Sequence, residues 1–337
     1  MSAHVNIPVF IPHLGCPNQC VFCNQRTISG VVEFDRSRVR EIIDEALTTI
    51  DNTSEVEIAF FGGSFTGIDR ELMIYLLEVA HSYILEGKVK SIRCSTRPDY
   101  IDSEILSILK KYGVKVIELG LQSADDGVLL ATKRGHTYND EAYACKLIVD
   151  CGFELVGQMM IGLPSSTLES EINTAQFIIS QGAKAVRIYP TVVFKETELC
   201  GMAECGAYEP ISVEDAVRRS AVVMKIFIDS GVKVIRVGLH ASDNLISEET
   251  YYAGPNHPAL GELVINEIYY ELMYNELSKL NIKEKSNVKI IVKKGWLSKA
   301  VGQRRRNLLR LKEIFPFLDI KVTEGEGPSE YSILVER

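Results

Sequence analysis

Three cysteines stand within eight residues near the start of the chain, at Cys16, Cys20 and Cys23. They directly follow a stretch predicted to be the first strand, so all three belong to one loop. Three thiolates on one loop can bind three irons of a 4Fe–4S cubane, which leaves the fourth iron without a protein ligand. The spacing therefore predicts an iron–sulfur site with one iron open to a further ligand.

A zinc site is the main alternative. His13 lies three residues before Cys16, so a Cys3His tetrahedron is formally possible. Structural zinc sites usually present two separated ligand pairs, however, and no second Cys/His pair stands at a suitable distance. A chance grouping of buried cysteines is the third interpretation. The spacing favours the cluster over both.

The composition is that of an ordinary globular protein. Of 337 residues, 46% are hydrophobic and 24% charged, which is ample for a sizeable core. No basic leader and no apolar run of about 18 residues is visible, so we expect a cytoplasmic protein that does not contact a membrane. In that compartment the eight cysteines are expected to be free, metal-bound or catalytic. The net charge of −8 argues against a surface that broadly coats nucleic acid.

Strands and helices alternate up to about residue 240. Strands are predicted at 6–12, 55–61, 90–95, 114–120, 154–161, 185–190 and 233–237. Helices are predicted at 36–49, 70–85, 102–111, 125–132, 138–151, 168–181 and 213–230. Such repeated units imply right-handed crossovers and a parallel sheet, so we predict an α/β fold with a full or partial β/α barrel. An open doubly wound sheet is the alternative.

The pattern changes after residue 243. A helix is predicted at 262–280, a strand at 288–292, a basic helix at 297–313, and strands at 319–323 and 329–335. We therefore predict two domains: a barrel over residues 1–243 and a small C-terminal α/β appendix over 244–337, packed on the barrel.

The segments that follow the strands carry further motifs. Gly62-Gly63-Ser64 follows the second strand, Ser95 ends the third, Gln122 ends the fourth and Gln158 lies in the fifth, while Arg134 comes after the fourth unit. In a β/α barrel the carboxyl ends of the strands form the active face. Adjacent glycines let backbone approach a ligand closely, and a guanidinium can bind a carboxylate as a fixed fork.

Together with the cysteine spacing, these segments resemble the radical S-adenosylmethionine (radical SAM) superfamily over about residues 5–243. Within it they resemble the branch that contains the Elongator catalytic subunit and the oxygen-independent coproporphyrinogen oxidases. The resemblance implies a partial (β/α)6-type barrel, a 4Fe–4S cluster, SAM as cofactor and a 5′-deoxyadenosyl radical. It also implies an electron donor such as flavodoxin or ferredoxin.

The resemblance assigns residues to these groups. The cysteines bind the cluster, and the remaining cofactor-binding residues are Gly62, Gly63, Ser64, Ser95, Gln122, Arg134 and Gln158. In particular, Gln122 and Arg134 contact SAM, and Arg134 pairs with its carboxylate. Relatives often carry an acidic residue where Ser95 stands, so Ser95 departs from the pattern because it supplies no charge.

The other polar residues near strand ends are candidate substrate contacts. They are His13, Asn24, Arg97, Gln158, Tyr189, Arg236 and His240. An amide can bind the donor–acceptor edge of a nucleobase, and a tyrosine can stack on a base. We take His13, His240 and Tyr189 as the candidate catalytic residues, the histidines for acid–base work.

Among compact Elongator-like proteins, a queuine lyase group has a similar length and motif set. The resemblance implies cleavage of a carbon–nitrogen bond in queuine, a modified 7-deazaguanine base, with release of 7-aminomethyl-7-deazaguanine for queuosine salvage. The length is expected to leave no room for the acetyltransferase domain of the Elongator subunit. The alternatives are a tRNA-modifying radical SAM enzyme that uses Arg304, Arg305 and Arg306 to bind RNA, and a non-enzymatic zinc-stabilised interaction protein.

Overall fold

The computed structural model describes residues 4–11, 14–16, 20–24, 34–51, 54–239, 249–280 and 284–336. The described residues group into two compact units. The first falls within Met1–Ile211 and Ile226–Asn256, and the second within Ser212–Lys225 and His257–Arg337. No helix among the described residues combines the length and the apolar character that crossing a bilayer requires.

The first unit is built on a seven-stranded parallel sheet whose strands stand in chain order. A doubly wound sheet reverses its strand order at a switch point, and this sheet does not. The predicted partial barrel, a curled α/β half-barrel, is confirmed. Its strands are β1 (His4–Ile11), β2 (Glu55–Gly62), β3 (Ser91–Thr96), β4 (Val114–Gln122), β5 (Glu154–Ile161), β6 (Ala185–Pro190) and β8 (Lys233–Val237).

The helices that connect these strands begin and end close to the predicted positions. They are α1 (Val39–Thr49), α2 (Arg70–Leu85), α3 (Ser103–Lys111), α4 (Asp126–Ala131), α5 (Tyr138–Asp150), α6 (Leu168–Ser180), α7 (Glu198–Glu204) and α8 (Val213–Asp229). Side-chain caps fix several starts: the carboxylate of Asp102 accepts from the Ile105 amide at 2.7 Å. Helix α7 and the short pair β7 (Val193–Phe194) and β9 (Tyr251–Ala253) were not predicted.

The two faces of the sheet differ in chemistry. Alternate side chains such as Ile58, Phe60, Ile117 and Ile188 are fully buried and apolar. They share their face with Gly157, where an added Cβ would come within 2.8 Å of the α6 side chain of Ile178, so this face packs against the helices. The side chains between them belong to the other, concave face, which carries the polar residues of the candidate site.

The second unit combines a three-stranded sheet with helices. Strand β10 (Ser286–Lys293) pairs parallel with β11 (Leu318–Gly325) and antiparallel with β12 (Ile333–Glu336). The helices are α9 (Leu260–Lys279), α10 (Leu297–Val301) and α11 (Arg306–Ile314), together with residues 213–225 of α8. Tyr269, Met273 and Leu277 of α9 pack with the buried side chains of β10 to form its core.

Two predictions for this unit were wrong in detail. The predicted helix 297–313 is two helices, because Gly302, Arg304 and Arg305 have φ of 77°, 52° and 61° and interrupt the helical hydrogen bonds. The buried Asn307 side chain stabilises the break by donating to the carbonyls of Ala300 and Asn266. Arg304 and Arg305 therefore lie on an exposed turn rather than within a helix. The last strand is Ile333–Glu336, shorter than the predicted 329–335.

Candidate active site

The cysteine loop is held in place by backbone hydrogen bonds. The Val21 amide donates to the Thr132 carbonyl at 3.3 Å, and the Val21 carbonyl accepts from the Leu199 amide at 2.8 Å. A turn in which the Cys23 amide donates to the Cys20 carbonyl at 3.0 Å sets the spacing of these two cysteines. Cys20 is buried, whereas Cys16 and Cys23 are half-buried. Residues 17–19 lie outside the described residues.

The pKa of the Cys16 thiol is raised, because burial outweighs the neighbouring charges. Desolvation raises the pKa of the Cys16 thiol, while a hydrogen bond from the Ser64 backbone and the positive charges of Arg97 and Arg134 lower it. Over the described residues, no group of three or more Cys, His, Asp or Glu side chains converges closely enough to hold a single metal ion.

The Gly62-Gly63 turn packs directly on the cysteine loop. The Gly63 amide donates to the Ile11 carbonyl at 2.7 Å, and an added Cβ on Gly63 would lie 2.1 Å from the Leu14 carbonyl oxygen. Gly62 has φ of 108°, which only glycine adopts readily. The turn thus brings β2 and the loop after β1 into contact, a role that the sequence did not indicate.

Ser64 is buried, and its hydroxyl is engaged within the fold. Its Oγ lies 3.0 Å from Thr96 Oγ1, which also hydrogen bonds to the Thr66 hydroxyl. The backbone of Ser64, rather than its side chain, is the part that contacts the Cys16 thiol.

Arg134 and Gln122 come together beside Cys20. Arg134 Nη1 donates to Cys20 Sγ at 3.1 Å, and Nη2 donates to the Gly120 carbonyl. A register shift between β4 and β5 and a φ of 73° at Gln122 direct its side chain out of the regular strand pattern. Both side chains are buried, and in the described chain Arg134 Nε and Gln122 Oε1 have no hydrogen-bond partner.

Arg97, predicted as a substrate contact, also lies at the cysteine loop. Its Nη1 is 3.7 Å from Cys20 Sγ, and its Nη2 donates to the Arg134 carbonyl. Its other bonds go to Asp99, from Nε at 2.9 Å and from Nη2 at 3.1 Å. Burial raises the pKa of the Asp99 carboxyl, but the adjacent His136 ring and the Arg97 guanidinium outweigh this effect and hold the pKa below its usual range. The Arg97 guanidinium therefore already interacts with other groups of the protein.

A buried ion network lies on the concave face. Arg93 donates to Glu57 at 2.8 Å and to Glu118 at 2.8 Å, and Arg187 donates to Glu118 at 2.8 Å. These four side chains come from four strands and carry no net charge together. None of the four was predicted as a site residue. Charged residues inside otherwise apolar strands could have indicated this network.

The predicted substrate residues on the concave face lie above this network. Gln158 pairs in register with Arg187 on one side and Gly120 on the other, and its side chain is half-buried. Burial raises the pKa of the Tyr189 hydroxyl against the lowering effect of the Arg187 charge. Ser95 and Arg236 are also half-buried on their strands, and Asn24 is half-buried one residue after Cys23. His13 and His240 lie outside the described residues.

The chain matches known families over most of its length. Residues 10–178 match the Radical SAM superfamily, and residues 183–270 match the Radical_SAM C-terminal domain.

Curated relatives show the same branch. The chain is 28% identical to the tRNA uridine(34) acetyltransferase of Methanocaldococcus infernus, over 49% of this chain and 35% of that protein. It is 28% identical to Elongator complex protein 3 of Homo sapiens, over 64% and 42%. The chain thus aligns with about two-fifths of the length of these relatives.

Solved structures agree on the fold. The archaeal Elp3 of Methanocaldococcus infernus superimposes with a TM-score of 0.63 at 21% identity, covering 85% of this chain and 65% of that one. Streptococcus suis SuiB bound to S-adenosylmethionine gives a TM-score of 0.50 at 15% identity, covering 73% and 50%. The family match, the fold and the three cysteines agree: the chain belongs to the radical SAM superfamily, whose members use a 4Fe–4S cluster and S-adenosylmethionine.

Proposed function

We propose that Cys16, Cys20 and Cys23 bind the cluster and that Arg134 and Gln122 bind SAM. The donor set fits these groups, because three thiols leave one iron open and two guanidiniums reach the buried thiol of Cys20. Arg134 Nε and Gln122 Oε1, which lack partners among the described residues, are polar atoms available for a ligand. When bound, the reduced cluster supplies the electron that splits SAM into methionine and a 5′-deoxyadenosyl radical.

We propose further that the enzyme is a queuine lyase. Abstraction of a hydrogen atom from the cyclopentene ring of queuine would yield 5′-deoxyadenosine and a ring-centred radical. Elimination of the protonated amine would then break the bond between the ring and the aminomethyl nitrogen, and the remaining ring radical would take up one electron and one proton from the external reductant. The observation that carries this proposal is the pair of neutral hydrogen-bonding side chains, Gln158 and Tyr189, half-buried on the concave face. An amide and a phenol can bind the donors and acceptors of a deazaguanine ring and stack against it.

The charge distribution around this pair supports a small base that carries no phosphate. The two arginines of the network, Arg93 and Arg187, already bind Glu57 and Glu118. They offer little free positive charge to a phosphodiester. The protein's role toward the substrate is to orient its ring and hold the reacting carbon near the radical.

The test is an anaerobic turnover assay with reconstituted enzyme, dithionite, SAM and queuine. We expect 7-aminomethyl-7-deazaguanine and 5′-deoxyadenosine by mass spectrometry. Gln158→Leu should raise KM for queuine about tenfold, because it leaves groups of the base unpaired. Glu154→Gln, an exposed position on the same strand, is the matched control. Formation of 5′-deoxyadenosine with queuine intact would exclude the lyase and leave the radical chemistry standing.

A tRNA substrate is the second candidate. It is favoured by the similarity to the archaeal tRNA uridine(34) acetyltransferase and by the exposed side chains of Arg304 and Arg305 on the turn and of Arg306 at the start of α11. Replacing the three arginines with glutamine should then weaken tRNA binding and flatten its salt dependence, by about 0.9 per lost phosphate contact in the log–log slope. Unchanged tRNA affinity in this variant would rule out this surface.

A further inference from the structure

A buried acid–base pair lies close to the cysteine loop in the first unit. His136 Nε2 is 3.1 Å from Glu141 Oε1, and both side chains have an exposed fraction of 0%. Burying two ionisable groups costs desolvation free energy, which specific interactions in the interior must offset. The pair therefore needs an explanation.

The pair is connected to Cys20 through two more side chains. His136 Nδ1 lies 3.6 Å from Asp99 Oδ1, and Asp99 holds Arg97 through two hydrogen bonds. Arg97 in turn reaches Cys20 Sγ at 3.7 Å. The result is a continuous line of ionisable side chains from Glu141 in α5 to the buried cysteine.

The pair is not needed to stabilise the start of helix α5. Helix α5 already begins with a capping box, in which the Thr137 and Asp140 side chains each bond to the other's backbone amide. Moreover, across the described residues Glu141 Oε2 and His136 Nδ1 make no hydrogen bond within normal distance. Buried polar atoms that serve only structure are usually satisfied.

We propose that His136 and Glu141 are positioning residues for the iron–sulfur site: through Asp99 they keep the Arg97 guanidinium directed at the Cys20 sulfur. Hydrogen bonds to cluster sulfurs and nearby positive charge favour the reduced state, so the pair sets how readily the cluster is reduced. This inference rests on the cluster and is independent of the queuine substrate.

The electrostatics give the inference a pH signature. Burial raises the pKa of the Glu141 carboxyl to about 7, while His136 and Arg134 oppose the rise and Asp126 adds to it. The other ionisable groups near the pair are Asp99, Asp140 and the protonated thiol of Cys145. Proton uptake by Glu141 removes a negative charge, so the cluster should become easier to reduce as the pH falls through about 7.

The experiment is an EPR-monitored redox titration of the reconstituted full chain between about pH 6 and 8. His136→Leu should lower the reduced fraction at a fixed potential about tenfold, which is about 59 mV for a one-electron couple. His136→Asn keeps a donor toward Asp99 and should restore most of this loss. Glu141→Gln keeps an acceptor for His136 but cannot titrate, so its potential should no longer depend on pH in this range.

His81→Asn is the matched control, because it removes a partly buried histidine that bonds to a backbone carbonyl and is not connected to Cys20 by the contacts described above. It should leave the potential and its pH dependence unchanged. Iron content and melting temperature are measured for every variant, and if His136→Leu does not fold, the asparagine and Glu141→Gln variants decide. Wild-type potentials in these variants at equal iron content, or a pH-independent wild type, would overturn the inference.

Discussion

Arg134 donates to the Cys20 sulfur at 3.1 Å although the two residues are 114 positions apart in the chain. The contact joins the cysteine loop after β1 to the segment that follows α4. Because the same guanidinium also donates to the Gly120 carbonyl, its orientation is fixed by the cysteine loop and by β4 together. A planar fork with donors in several directions can do this, and a single ammonium cannot.

Arg134→Lys should therefore weaken SAM binding while the cluster still assembles. We expect the Kd for SAM to rise about tenfold, which is about 1.4 kcal/mol. Equilibrium binding to the reconstituted enzyme measures it, with iron content as the check on loading. The neighbouring Lys133 forms an exposed ion pair with Glu198, so Lys133→Ala should bind SAM normally. Wild-type SAM affinity in Arg134→Lys would contradict the proposed role.

Gly63→Ala should destabilise the first unit. The new Cβ would meet the backbone carbonyls of Leu14 and Ile11, which cannot move without shifting the cysteine loop. We expect a loss of about 1–3 kcal/mol in the free energy of unfolding, together with reduced iron loading. Gly201→Ala lies in helix α7 with open space around it and should be neutral or stabilising. Urea unfolding of both variants provides the comparison.

Glu118→Gln should be costly because Glu118 binds both Arg93 and Arg187 in the interior. Removing its charge leaves the buried Arg187 guanidinium without a carboxylate partner and leaves Arg93 with Glu57 alone, so we expect a loss of about 3–5 kcal/mol. The exposed carboxylate of Glu104, paired with Arg70, is the control, and Glu104→Gln should cost at most about 1 kcal/mol. Equal urea midpoints for the two variants would show that the buried network contributes little.

Only the three loop cysteines should be required for iron. Cys20→Ser should lose most of the iron per chain after anaerobic reconstitution. Burial raises the pKa of the Cys94 thiol to about 12, so this thiol stays protonated at neutral pH and is a poor metal ligand. Cys94→Ala should accordingly keep its iron and its visible absorbance. Loss of iron in Cys94→Ala without loss of folding would contradict the assignment.

Glu141 should make the protein less stable as the pH rises. The carboxyl has a pKa of about 7 in the folded state against an ordinary value of 4.5. Between these values the folded chain binds more protons than the unfolded one, so each increase in pH favours unfolding. The melting temperature of the apo-protein should fall from about pH 5 to 7 relative to that of Glu141→Gln. Parallel pH profiles for the two proteins would contradict this.

The sequence alone determined most of the architecture. Apolar strands alternating with amphipathic helices predicted all seven strands of the parallel sheet to within about two residues, because those periodicities are local properties. The spacing of Cys16, Cys20 and Cys23 predicted the family for a similar reason: ligands on one loop can be recognised from their spacing. The prediction of a single helix over residues 297–313 was wrong, because the left-handed conformations at Arg304 and Arg305 depend on the packing of Asn307.

Only the tertiary structure decided which polar groups meet. The neutralised network of Glu57, Arg93, Glu118 and Arg187 depends on the register of four strands, and the placement of Gln122 depends on a bulge in β4. Likewise, the sequence did not indicate that Arg97, a predicted substrate contact, lies between Asp99 and Cys20. The physical reason is that the sequence specifies the type of each side chain, whereas the group with which it interacts depends on distances between elements far apart in the chain.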